Sequence, residues 1–178
     1  GEIRSRDTRT GYDVTRRSYD LLDPAGRSLF LVDDGRVWPL AGNFPAEDRA
    51  GLRVEPVFSV LKISGARGDL HASIDISLPD AEHPVELWTI DAKNVGPRTR
   101  SLKLVPYLEW VLNRPGADRG HTQYNRLFAE MQYRHALHAV LARDKHSGAL
   151  GFLAAGPGPE GFLTSRIDLC APDCPAPR

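Results

Sequence analysis

The chain has 178 residues, 41% hydrophobic and 26% charged, the make-up of an ordinary globular domain long enough to bury most of one core. Lysine plus arginine and aspartate plus glutamate each number 23, so no overall field draws in a polyanion and nucleic acid is not an expected partner. The longest largely apolar stretches, Leu104 to Leu112 and Ala149 to Ala155, fall far short of the roughly 20 residues a membrane helix needs, so no membrane span is expected.

The opening Gly1-Glu2-Ile3-Arg4 has neither an initiator methionine nor a basic stretch before an apolar run, which predicts no signal peptide and a piece cut from something longer. Arg27 to Val32 and Arg36 to Leu40 flank Asp33-Asp34-Gly35, a pair of strands around a turn whose second position wants positive φ. Val54 to Ile63 is rich in β-branched and aromatic residues and predicts one strand. Gly65-Ala66-Arg67-Gly68-Asp69 then reverses the chain into Leu70 to Leu78, where Leu70, Ala72, Ile74, Ile76 and Leu78 alternate with polar residues as in a strand with one wet face. Val85 to Asn94 and Ser101 to Leu112 repeat this pattern around Val95-Gly96-Pro97-Arg98, with Pro106 pointing to an edge or a bulge.

After Trp110 the chain enters a predicted loop dense in Arg, Asn, His, Gln and Tyr that runs to Phe128. Arg134 to Arg143 fits either helical spacing or strand alternation and is read as a strand. Ala149 to Ala155 and Gly161 to Ile167 predict further strands around Gly156-Pro157-Gly158-Pro159. The expectation is an all-β antiparallel sandwich over 1–169, with a Pro-rich tail over 170–178, because no amphipathic crossover helices separate the strands.

Cys170 and Cys174 are too few for a secreted disulfide framework, which suits a reducing, cytoplasmic setting. A metal site is not expected, since His135 and His138 stand three apart on a predicted strand and face opposite ways. No cofactor is expected. Arg67-Gly68-Asp69 is a hairpin tip rather than an adhesion motif, and Gly156 to Gly161 lacks the Lys-Ser/Thr of a phosphate loop. Asp75, Asp91, Glu109 and Glu130 show no pairing that would make a general acid. The loop after Trp110 is different in kind: its amides, guanidinium groups and aromatic rings suit sugar hydroxyls and pyranose faces, and equally suit satisfaction of local backbone.

At these residues the sequence resembles the N-terminal domain of the inverting sugar phosphorylases of glycoside hydrolase family 94: cellobiose and chitobiose phosphorylases and the phosphorylase-like region of cyclic β-1,2-glucan synthases. Three stretches carry the resemblance: Pro24 to Trp38; Val85 to Asn94 with Arg100 to Leu104; and Tyr107-Leu108-Glu109-Trp110 followed by Tyr124-Asn125-Arg126-Leu127-Phe128. The resemblance implies a β-supersandwich of galactose-mutarotase-like architecture, incomplete in this chain, that packs against an (α/α)6 barrel of the same parent. It places the catalytic aspartate in that barrel and so no catalytic residue here. It also implies homodimer contacts and a β-glucan or β-glucoside substrate, with Arg126 near that substrate. Gln123, Tyr124 and Asn125 are candidates beside it, and Trp88 and Trp110 are expected as core or interface aromatics. The alternatives are a self-standing carbohydrate-binding module and a purely structural sandwich.

Overall fold

The computed structural model describes residues 3–17, 26–42, 44, 47–80, 82–156 and 158–165. The predicted tail over 170–178, with Cys170 and Cys174, lies outside the described residues. The chain divides into two compact units, one formed by 1–3 and 27–107, the other by 4–26 and 108–178.

In the first unit β3 (Arg27–Asp33) and β4 (Arg36–Ala41) form the expected hairpin. Asp34 and Gly35 both take positive φ, 49° and 79°, the geometry of a two-residue turn whose twist matches the strands it joins. β9 (Leu102–Leu108) flanks β3 in a sheet of order β4-β3-β9. Its edge position is one of the few places in a sheet where a proline such as Pro106 is tolerated. A second sheet, of order β5-β6-β7-β8, is built from β5 (Arg53–Val57), β6 (Val60–Arg67), β7 (Leu70–Ser77) and β8 (Leu87–Asn94), all antiparallel. Leu70, Ala72, Ile74 and Ile76 bury their alternate face against Leu29, Leu31, Trp38 and Leu40, giving this unit its core.

The single strand predicted over Val54 to Ile63 is in fact two strands. Phe58 and Ser59 turn the chain between them, with Ser59 at φ 64°. No Gly, Pro or Asn marks that reversal, so the turn chemistry that identifies other hairpins is missing. The β6–β7 turn at Gly68 (φ 58°) and Asp69 is the tight reversal expected.

In the second unit β1 (Arg6–Asp7), β2 (Tyr12–Thr15) and β10 (Trp110–Asn113) form one sheet. Here the long strand predicted over Ser101 to Leu112 divides: it breaks at Glu109, and β9 and β10 join different sheets. The other sheet joins β11 (Ala129–Arg134), β12 (Ala139–Asp144) and β13 (Leu150–Ala154). Trp110, Leu112 and Ala142 make the core between them, with Val14, Ala149 and Leu153 packed around it.

Three further expectations are corrected in this unit. The loop from Trp110 to Phe128 contains two short helices, α1 (Pro115–Gly120) and α2 (Thr122–Arg126). The stretch from Arg134 to Arg143 is a strand only from Ala139 onward: Arg134 closes β11, a 3-10 turn at His135–Leu137 and His138 at φ 47° make the hairpin connection, and β12 follows. His135 and His138 therefore sit in a turn, not on a strand. Residues 161–165 carry no strand, and the remainder of that predicted strand lies outside the described residues. The longer, regular elements remain strands, and no helix among the described residues is long and apolar enough to cross a membrane.

Candidate functional site

The connection from β10 to β11 is where the sequence concentrates its polar chemistry, and a buried ion network organises it. Pro115 opens α1 with its φ already helical, after Arg114 in extended conformation. One turn later Asp118 is turned inward to 1% exposure, and the Thr122 hydroxyl donates to the Asp118 carbonyl at 2.8 Å. Arg16, just beyond β2 and also 1% exposed, donates through Nη2 to Asp118 Oδ1 at 3.0 Å and through Nη1 to Glu109 Oε2 at 3.1 Å. Arg126, at the last position of α2, donates to the same Glu109 oxygen at 3.1 Å and to Gln123 Oε1 at 3.0 Å.

Two guanidinium groups thus face two carboxylates, with Arg16, Asp118 and Glu109 held away from bulk water and Arg126 at the outer edge. Backbone bonds tie the same place together: the Arg16 N–H donates to the Glu109 carbonyl at 2.9 Å, and the Glu109 N–H to that of Gly26 at 2.7 Å. Burial pushes the Asp118 carboxyl above its ordinary range, against the opposing pull of Arg16 and, more weakly, Arg126. Charges buried this deeply contribute little net stability as a set, but losing one member strands its partner, so the network specifies where the connection sits.

The candidate residues divide between inside and outside. Gln123 and Tyr124 are exposed, Tyr124 at 60%, with its ring edge-on to Phe128 at 4.9 Å. Arg126 keeps 23% of its side chain accessible while its guanidinium braces Glu109. Asn125 points inward at 8% exposure, and its amide Nδ2 finds no hydrogen-bond acceptor among the described residues. Trp110 lies in the core of the second unit, touching the glycine backbone of Gly151. Trp88, on β8 in the first unit, packs partly buried against that unit's core, beneath the Arg27 guanidinium at 4.6 Å, and donates its indole N–H to Glu86.

Of the scattered carboxylates, Glu109 belongs to the network, Glu130 pairs with Lys145 at 2.6 Å and Asp75 with Lys62 at 3.5 Å. Residue types alone did not single out Arg16 or Asp118, because their partners are supplied by distant segments.

Two depressions mark the surfaces. In the first unit one of about 430 Å³ lies on the polar face of the four-stranded sheet, where Arg53, Ser64, Ser73 and Asp91 form a cross-strand row. In the second unit a cleft of about 550 Å³ opens where the connection begins, lined by Tyr12, Asn113, Arg114 and His146 over the small residues Gly116 and Ala117. Beside it Leu112 is held at φ 53° although buried to 3%, and the β2–β10 register slips between Trp110 and Asn113. A bulky residue at positive φ beside a bulge re-aims the side chains that follow it.

Hairpin-built antiparallel sheets, with α-helix among the described residues confined to one connection of the second unit, define the class: an all-β protein of the sandwich type. The chain belongs to the family described as Glycosyl hydrolase 94, supersandwich domain, which matches residues 4–169, and its fold class is the antiparallel β-supersandwich. Among curated proteins it is similar to the solabiose phosphorylase of Paenibacillus borealis, 29% identical over 110 residues, which make up 59% of this chain and 14% of that protein. The match therefore spans only a small part of the relative's length.

Proposed function

We propose that this chain serves as the non-catalytic N-terminal supersandwich, over 1–169, of an inverting enzyme that transfers glucosyl units between β-glucosides and phosphate, either a glycoside phosphorylase or a cyclic β-1,2-glucan synthase. In that reading an (α/α)6 barrel of the same parent holds the catalytic acid. The parent works in the cytoplasm as a homodimer, and the sandwich docks the barrel and reaches the sugar through the connection after Trp110.

The observation that carries the reading is the ion network around Glu109. An enzyme that uses a sandwich loop to shape a sugar site needs that loop held in one geometry. Arg16, Asp118 and Glu109 supply such a hold, with Arg126 at its outer edge. Gln123, Tyr124 and the accessible edge of Arg126 form the presented surface, and Asn125 anchors it from within. Membership of the supersandwich family supports the assignment of this chain to the sandwich rather than to the catalytic domain.

The test is phosphorolysis by the full-length enzyme with Arg126→Ala, Arg126→Lys and Tyr124→Ala. A tenfold or greater fall in kcat/KM for Arg126→Ala, partly restored by lysine, is expected. Unchanged kinetics in all three variants favour a purely structural sandwich. Tight binding of a β-glucan oligosaccharide without any barrel favours a self-standing carbohydrate-binding module.

A further inference from the structure

We propose that β13 is a docking strand for a second copy of this chain, which pairs antiparallel with its own β13 about a two-fold axis at Phe152. The homodimer in the reading above has no contact surface assigned to it; this one is read from the strand itself and does not depend on the carbohydrate chemistry.

A strand at the edge of a sheet offers unpaired N–H and C=O groups, and proteins block such edges with charges, proline, brevity or burial. Among the described residues every sheet edge but one is blocked in this way. β1 is two residues long and β10 is buried along its whole length. β4, β5 and β9 contain Pro39, Pro56 and Pro106, while β8 and β11 carry charges such as Lys93 and Glu130. β13 reads Leu-Gly-Phe-Leu-Ala, without charge or proline, and exposes Leu150 at 73% and Phe152 at 52%.

The register says which of its backbone groups are open. The Asp144 N–H donates to the Ala149 carbonyl at 3.0 Å, and the pairs Ala142↔Gly151 and Val140↔Leu153 continue that ladder in steps of two. Gly151 and Leu153 therefore turn their N–H and C=O groups toward β12, whereas Leu150, Phe152 and Ala154 turn theirs outward. These three positions are symmetric about Phe152, and the symmetry selects a second copy as the occupant. Antiparallel pairing sets Phe152 against Phe152 and Leu150 against Ala154, so every outward group of both strands finds a partner.

The side chains agree with this register. Gly151 and Ala142 face the Trp110 core, so Leu150, Phe152 and Ala154 lie on the outer face, where Leu141 stands beside Phe152. Pairing joins Leu141 and Phe152 of the two copies into one apolar stripe, with no charge on either strand to repel across the axis. Each copy has one such edge, so the association closes at two. Five residues make an edge about 17 Å long. The contact then falls below about 1,200 Å² in total, the class of weak and reversible associations.

The experiment is sedimentation velocity on the full 178-residue chain from low to high micromolar concentration, with Phe152→Lys and Leu150→Lys beside it. A reducing agent keeps Cys170 and Cys174 from linking copies. Amide hydrogen exchange of the unaltered chain is followed by NMR over the same concentrations. Expected is a monomer–dimer equilibrium with a micromolar Kd, weakened at least tenfold by Phe152→Lys, which sets two ammonium groups against each other across the axis. Because Phe152 is half exposed, its Tm is expected to stay unchanged. The amides of Leu150, Phe152 and Ala154 are expected to gain protection as concentration rises, and those of Gly151 and Leu153 to stay as they were.

A monomer at every concentration overturns the proposal. So does a dimer that survives both variants, one larger than two copies, or one whose added protection falls on a different strand. None of these outcomes touches the proposed function, which the phosphorolysis kinetics of the Arg126 variants judge separately.

Discussion

Replacing Arg16 by methionine tests whether the buried network is what holds the connection in place. Methionine keeps the unbranched apolar stem but removes the guanidinium and its charge. Asp118, at 1% exposure, then loses its hydrogen-bonded cation, while Glu109 still keeps Arg126. Removing one member of a buried pair costs about 3–5 kcal/mol, because the partner's charge is left without compensation. That is a large share of the roughly 5–15 kcal/mol by which domains are stable. With a urea slope of about 2 kcal/mol/M, the unfolding midpoint drops by about 1.5–2.5 M. The double variant Arg16→Met/Asp118→Leu removes the stranded carboxylate as well and returns to within about 1 kcal/mol of the parent sequence. Urea unfolding of the three proteins gives both numbers. A loss below about 1 kcal/mol for Arg16→Met, or a double variant no more stable than the single, refutes the reasoning.

Two further outcomes follow from the same unit. Burial keeps the Asp118 carboxyl above its ordinary value of 3.8, so the folded chain holds a proton at a pH where the unfolded chain has released it. The stabilisation from that proton is complete below the ordinary value and is lost as pH rises through the raised folded value. The stability of the parent relative to Asp118→Asn therefore declines across that window in a pH series of urea midpoints, and a difference that stays constant or grows with pH contradicts it. Gly151→Ala places a Cβ 2.6 Å from Cζ3 of the buried Trp110. Overpacking against a ring that cannot move aside costs about 1–3 kcal/mol, read as a fall in Tm, and an unchanged Tm shows that the core has slack there.

Where sequence and structure agree, the deciding forces act within a few residues. The β3–β4 hairpin was legible because Asp34-Gly35 can take positive φ and the flanking alternation has a period of two. The same alternation at Leu70 to Ile76 placed β7 and its inward face correctly. Where those markers were missing, the reading went astray: Phe58-Ser59 turns the chain without a Gly, Asn or Asp, and Pro115-Gly116 with Gly120 reads as loop yet forms α1. Helices of six and five residues are too short to display a period, and their own hydrogen bonds barely offset the cost of starting them.

The order of polar and apolar residues along the chain by itself determined an all-β antiparallel protein and pointed to the stretch after Trp110 as its chemically richest segment. Only the tertiary structure decided what that stretch does with its side chains. Arg16 meets Glu109 and Asp118 across separations of 93 and 102 residues, and no local pattern encodes a pairing over that distance. Turn geometry and alternation come from the sterics of neighbouring residues. Which buried charge finds which partner depends on how two sheets bring remote segments into one unit, and that is why Asn125 and Asp118 went inside while Gln123 and Tyr124 stayed out.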